Sequence, residues 1–207
     1  MHIDIEKELM THSIKAASVA FMGPRPAKLG GYDLYTNYAE LAKDVKDLIE
    51  QFVKAGITTF VTNGAQGFSQ LTFWSVYDVQ KTTKNVHNNL YIPFETQDKN
   101  WDCTGIFGQI KYREMRSNAD NKKFFTDIQE SDTYEDAVKA FHGCDEAIIN
   151  TTDLLIALYP SYDWMKDADD ETAIAMQYAV KTNKPILQLL YVVENDMPRI
   201  TECAIIK

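Results

Sequence analysis

Seven consecutive residues, Asp153-Leu-Leu-Ile-Ala-Leu-Tyr159, carry no polar side chain between their two ends. A run this short cannot cross a bilayer, and it does not alternate, so neither of its faces is meant for water. Such a strand needs cover on both sides, and the arrangement that supplies it is a parallel sheet between two layers of helices. The rest of the chain supplies further strands and helices of that kind. Lys15 to Gly23 (KAASVAFMG) is a second apolar run, ended by glycine. Ile57 to Thr62 is rich in β-branched residues, Leu90 to Pro93 is a further short strand, and Pro185 to Val193 is the last.

Between these runs the period changes. From Asn37 to Ala55, apolar side chains recur at Leu41, Val45, Leu48, Ile49, Phe52 and Val53, and Gly56 stops the pattern. Phe68 to Gln80, Tyr134 to Ile149 and Ala173 to Lys181 repeat the helical spacing, the last behind Asp170-Glu171-Thr172, which reads as a helix start. Residues 95–131 are polar and weakly periodic, consistent with one or two helices. Strands alternating with helices, without a repeat or a low-complexity linker, predict a single-domain α/β protein: a Rossmann-like three-layer fold with a mainly parallel sheet.

Composition narrows the function classes. With 45% hydrophobic and 25% charged residues the chain can build a core, so disorder is excluded as an overall state. A net charge of −9 argues against a nucleic-acid backbone as partner. The opening MHIDIEKELM mixes charges where a signal peptide would be apolar, and no membrane span is present, so a cytoplasmic location is expected. Cys103, Cys144 and Cys203 have no CxxC spacing, and His2, His12, His87 and His142 have no close ligand spacing, so neither a disulfide framework nor a metal site is expected. No cofactor is expected either.

In an open parallel sheet a ligand sits beyond the carboxyl ends of the strands, where the strand order reverses. Three loops leave such ends. Gly23-Pro24-Arg25-Pro26, extended by Lys28, Leu29, Gly30 and Gly31, offers close backbone approach at Gly23 and a forked cation at Arg25; a stiff turn with a solvated arginine is the plainer alternative. Gly64-Ala65-Gln66-Gly67 joins a strand to the helix that begins at Phe68, where amides can hold an anion without a lysine. It completes neither a Walker loop nor GxGxxG, and packing alone can also require such glycines. The third loop runs from Tyr159 to Thr172. Glu171 and Thr172 can present a carboxylate and a hydroxyl to a ligand, but Asp170 or Thr172 can equally be an ordinary helix cap. Of Trp74, Trp101 and Trp164, the last, in that polar loop, is the best placed for stacking on a base, although core packing is the more common use of such residues. Cys144 and His142 are too close in sequence along a helix to face each other as nucleophile and base.

The three loops, with one further segment, resemble the YpsA-like branch of the SLOG superfamily. Phe21-Met-Gly-Pro-Arg-Pro-Ala-Lys-Leu-Gly-Gly-Tyr32 is similar to the family's TGHRPxKLGGY opening, and Asn63 to Phe68 falls at its SGxxxGxD/E turn. Ile92-Pro-Phe-Glu-Thr-Gln97 with Trp101 resembles PFxxQxxxW. Asn150 to Tyr159, with Thr172-Ala173 and Tyr178-Ala179, resembles SDLLIAVYD…GGTAxxxxYA. The resemblance runs from about Ala17 to Leu190. It implies a Rossmann-like fold binding a nucleotide or nucleotide-derived ligand, and a homo-oligomer. Relatives across the superfamily include phosphoribohydrolases, DprA-type DNA-processing proteins and sensor domains for cyclic ADP-ribose-type signals.

Departures shape the expected function. The phosphoribohydrolase signature PGGxGTxxE has no glycine counterpart in Asp169-Asp170-Glu171-Thr172, where adjacent acids repel a phosphate. Ser69 replaces the acid of the second turn, and Pro24 the histidine of the first. The expectation is therefore a non-catalytic sensor or sequestering protein for an ADP-ribose-type ligand, held by Gly23, Arg25, Gly64, Gln66, Gly67, Phe68, Tyr159, Glu171 and Thr172. The alternative is a nucleoside 5'-monophosphate phosphoribohydrolase-like enzyme cleaving an N-glycosidic bond, with Glu171 stabilising the developing positive charge or positioning water.

Overall fold

The computed structural model describes residues 3–32, 35–126 and 133–207. Its strands are β1 (Ser18–Met22), β2 (Thr59–Thr62), β3 (His87–Phe94), β4 (Asn121–Thr126), β5 (Leu154–Leu158), β6 (Ile186–Glu194) and β7 (Met197–Ile206). The α-helices are α1 (Ile5–Thr11), α2 (Ala39–Lys54), α3 (Phe68–Gln80), α4 (Gln109–Asn118), α5 (Tyr134–Thr151) and α6 (Glu171–Lys181). The strands form one seven-stranded sheet in the order β4-β3-β2-β1-β5-β6-β7. β1 through β6 pair in parallel, and only β7 runs antiparallel to its neighbour.

Alternate residues of the central strands face opposite layers. Val19, Phe21, Leu154, Ile156 and Leu158 pack with Leu41, Leu48 and Phe52 of α2 and with Phe68 and Leu71 of α3. Ala20, Met22, Leu155 and Ala157 pack instead with Cys144 and Ile148 of α5 and Ala173 and Met176 of α6. Both faces of the apolar β5 are thereby closed, all five of its residues being buried. The expected Rossmann-like three-layer α/β fold is the one observed.

Three expectations need correction. The strand at 185–193 is not the last: β7 returns beside β6 through Asn195-Asp196, whose φ values of 52° and 62° make the tight turn that matches strand twist. Within 95–131 there is a strand, β4, as well as the helix α4; residues 127–131 of that stretch lie outside the described residues. The third strand is longer than Leu90–Pro93, beginning at His87, because polar Asn88 is accommodated in the core by donating to the Phe73 carbonyl (2.9 Å).

Among the described residues, no helix is long and apolar enough to cross a membrane.

Candidate functional site

The strand order turns at β1, with β2 on one side and β5 on the other. The crevice beyond their carboxyl ends is where such a sheet takes its ligand. Two loops meet there: the one leaving β1 through Gly23-Pro24-Arg25, and the one leaving β5 and entering α6. They are joined by two ion pairs. Arg25 donates from Nε and Nη2 to Oε2 of Glu171 at 3.1 and 2.9 Å. Lys28 Nζ lies 2.6 Å from Oδ2 of Asp170. This hydrogen bond raises the pKa of Lys28 against the opposing effect of its own desolvation.

Asp170 does two things at once. Its other oxygen, Oδ1, accepts the backbone N–H groups of Thr172 (2.8 Å) and Ala173 (3.0 Å), so it is the N-cap of α6. Of the two cap candidates, the structure selects Asp170, and Thr172 is buried behind it. The amides that would cradle a phosphate are thus engaged by the chain's own carboxylate. Asp167 organises the loop before it: the Tyr159 hydroxyl donates to Asp167 Oδ2 (2.6 Å), and Oδ1 accepts from the N–H groups of Asp169 and Asp170. These bonds, the Tyr159 hydroxyl first, hold the Asp167 carboxyl below its ordinary pKa.

The second glycine turn packs against the first. The Phe68 N–H donates to the Pro24 carbonyl (3.2 Å), and a Cβ on Gly67 would come within 2.5 Å of that same oxygen. A Cβ on Gly23 would meet the Phe68 ring at 2.4 Å. Both glycines therefore have a packing reason to be glycine. The Phe68 side chain itself is buried, packed against Phe21 and directly under Gly23. Gln66 donates from Nε2 to the Phe107 carbonyl (2.9 Å), and a Cβ on Gly64 would press on Leu90, Met115 and Tyr112. Of the expected residues, Arg25 and Glu171 are in direct contact, with Gly23 and Thr172 beside them in chain. Tyr159, Gln66 and Gly64 are tied to other partners. Trp164, the best stacking candidate of the three tryptophans, is a core residue at 4% exposure. Cys144 is buried too, its Sγ donating to the Tyr91 carbonyl (3.5 Å), and desolvation pushes its pKa up; it is no thiolate nucleophile.

Sequence reasoning missed three residues. Phe141 of α5 lies beneath Arg25, its ring centroid 5.0 Å from the guanidinium carbon. Asn63, at the end of β2, accepts from the Ala65 N–H and donates from Nδ2 to Oδ1 of Asp145 (2.7 Å). Asp145 is buried, and desolvation is the main cause that lifts its pKa from 3.8 to about 7. Asn63 opposes the shift, Glu171 adds to it and Arg25 opposes it. A signal existed: Asp145 stands on the stripe of α5 marked by Phe141, Cys144 and Ile148, where helical spacing expects an apolar side chain. Among the described residues, no three His, Cys, Asp or Glu side chains gather as a metal-binding group.

A mainly parallel sheet wrapped by helices, with Arg25, Lys28, Asp170 and Glu171 paired across the loops where its strand order turns, defines a Rossmann-like α/β protein with a charged switch-point crevice. The sequence model of the YspA SLOG family, YpsA, matches residues 19–192, and the chain belongs to this family. The matched span takes in every crevice residue described above. Comparison with curated proteins gives no match.

Proposed function

We propose that the crevice between the β1 and β5 loops binds a nucleotide-derived ligand of the ADP-ribose type without turning it over, so that the protein acts as a sensor or sequestering protein. Family membership supports nucleotide-related binding. The observation that carries the non-catalytic part is the double use of Asp170, which caps α6 and pairs with Lys28. A hydrolase of the related kind holds phosphate on glycine amides at this helix start and leaves its glutamate free for the sugar. Here a carboxylate occupies the amides, and Glu171 is bound to Arg25. An incoming anion takes Arg25 from Glu171 instead.

Isothermal titration against nucleoside monophosphates, NAD and cyclic ADP-ribose isomers tests this reading. Binding of at least one, with its mass unchanged by native mass spectrometry, is the expected result. Arg25→Ala should weaken it by about ten- to a hundredfold, the range for a charge-assisted hydrogen-bonded contact. Glu171→Gln, by releasing Arg25, should tighten it by about fivefold or less, since both partners of that pair are partly exposed. Binding of none of the panel would remove the proposal.

One observation favours the enzyme reading as a second possibility. Asp145, neutral in part near neutral pH, lines the same small pocket as Glu171, and a protonated carboxyl near a second carboxyl group is what acid–base cleavage of an N-glycosidic bond needs. Release of free base from a nucleoside monophosphate, abolished by Glu171→Gln, would replace the sensor reading with this one.

A further inference from the structure

On the far side of the sheet from α5 and α6, the helices α2, α3 and α4 and the Ile106-Phe107 segment line an open cavity of about 680 Å3. That is the size of a small-molecule site, and it shares none of its lining with the Arg25–Glu171 crevice. Its walls carry Tyr35, Trp74, Tyr77 and Phe107. Aromatic walls alone would say little, but the charges are distinctive. Four lysines, Lys43, Lys46, Lys81 and Lys111, line the cavity against two carboxylates, Asp78 and Glu114. This excess of positive charge stands on a chain whose net charge is −9.

The lysines are also placed on the rings. Lys81 Nζ is 4.7 Å from the centroid of Tyr77, and Lys111 Nζ is 5.6 Å from that of Trp74. Asp78 and Glu114 hold these two ammonium groups and Asp47 holds that of Lys43 (2.9 Å), so the uncompensated positive charge is that of Lys46, which has no carboxylate partner among the described residues. The indole N–H of Trp74 is shielded from solvent and has no acceptor among the described residues. Aromatic walls and an uncompensated cation at their rim call for one kind of occupant.

We propose that the α2–α3–α4 cavity is a second ligand site, for a small flat aromatic anion that stacks on Trp74 and Tyr77 and takes the lysines as counter-ions. The proposal does not depend on the function assigned to the crevice. The probe for its test is 8-anilinonaphthalene-1-sulfonate, with the uncharged N-phenyl-1-naphthylamine as its counterpart, added to the intact chain. The sulfonate should bind at one saturable site, about tenfold more tightly than the neutral dye. Lys46→Glu combined with Lys111→Glu should weaken it by about tenfold with the circular dichroism spectrum preserved, and Arg25→Ala should leave it unchanged. The site is refuted if the sulfonate does not bind, if the neutral dye binds equally well, or if the lysine variants bind normally. It is also refuted if Arg25→Ala is as damaging as the lysine changes, which would return the dye to the crevice. Displacement of the dye by a single-stranded oligonucleotide of higher affinity would overturn the small-molecule assignment.

Discussion

On α5, Asp145 shares a buried stripe with Cys144 and Ile148, and among the described residues its hydrogen-bond donor is the neutral amide of Asn63. Burial favours its protonated form and raises the pKa to about 7. The unfolded chain ionises near 3.8, so the stabilising effect of the neutral group is complete below about pH 4 and is lost as pH rises through about 7. Asp145→Asn keeps the shape and an acceptor for Asn63 while removing the titration. Thermal unfolding of the two proteins between pH 4 and 8 should show the parent losing stability relative to the variant as pH rises. Parallel curves would mean that Asp145 is ionised throughout. Asp153 behaves in the opposite sense. Its burial also resists ionisation, but the N–H of Ala17 and the hydroxyl and N–H of Ser18 outweigh it and depress the pKa, so its contribution disappears in acid.

Among the elements, α6 shows most clearly what a single side chain does for a helix. Asp170 satisfies two of its first N–H groups and brings Lys28 to the positive end of the dipole through its second oxygen. Asp170→Ala should cost about 1 kcal/mol in unfolding free energy, the common value for a lost cap. The opened amides should then make sulfate stabilise the variant more than the parent, read as a larger rise in melting temperature. Sequence alone located α6 and its cap candidates because apolar period and capping chemistry coincide there. It missed β4 because all six residues of that strand are exposed, leaving no apolar alternation to read. It missed β7 because the turn relies on asparagine and aspartate rather than glycine to reach positive φ. In the candidate site, Arg25 and Glu171 were legible as charges next to glycines and a helix start. Their contact, at a separation of 146 residues, was not, since only the strand order brings the two loops together.

For the molecule as a whole, the outer edge of β4 is the place where self-association needs restraint. Phe124 and Phe125 are 43% and 37% exposed, and Lys122 and Lys123 stand beside them, with Lys123 Nζ 5.2 Å from the Tyr91 ring. Lysine on an edge strand opposes pairing with another sheet. Replacing Lys122 and Lys123 by threonine should therefore shift sedimentation toward larger species as concentration rises; an unchanged distribution would show that the edge is protected in another way. The crevice has its own consequence at this scale. Asp145 lies within electrostatic reach of Arg25 and titrates near neutrality, so an anion that settles on Arg25 makes its proton harder to lose. Ligand binding is then a reaction that consumes protons: each molecule bound draws a fraction of one from the medium, and the heat measured changes with the ionisation enthalpy of the buffer chosen.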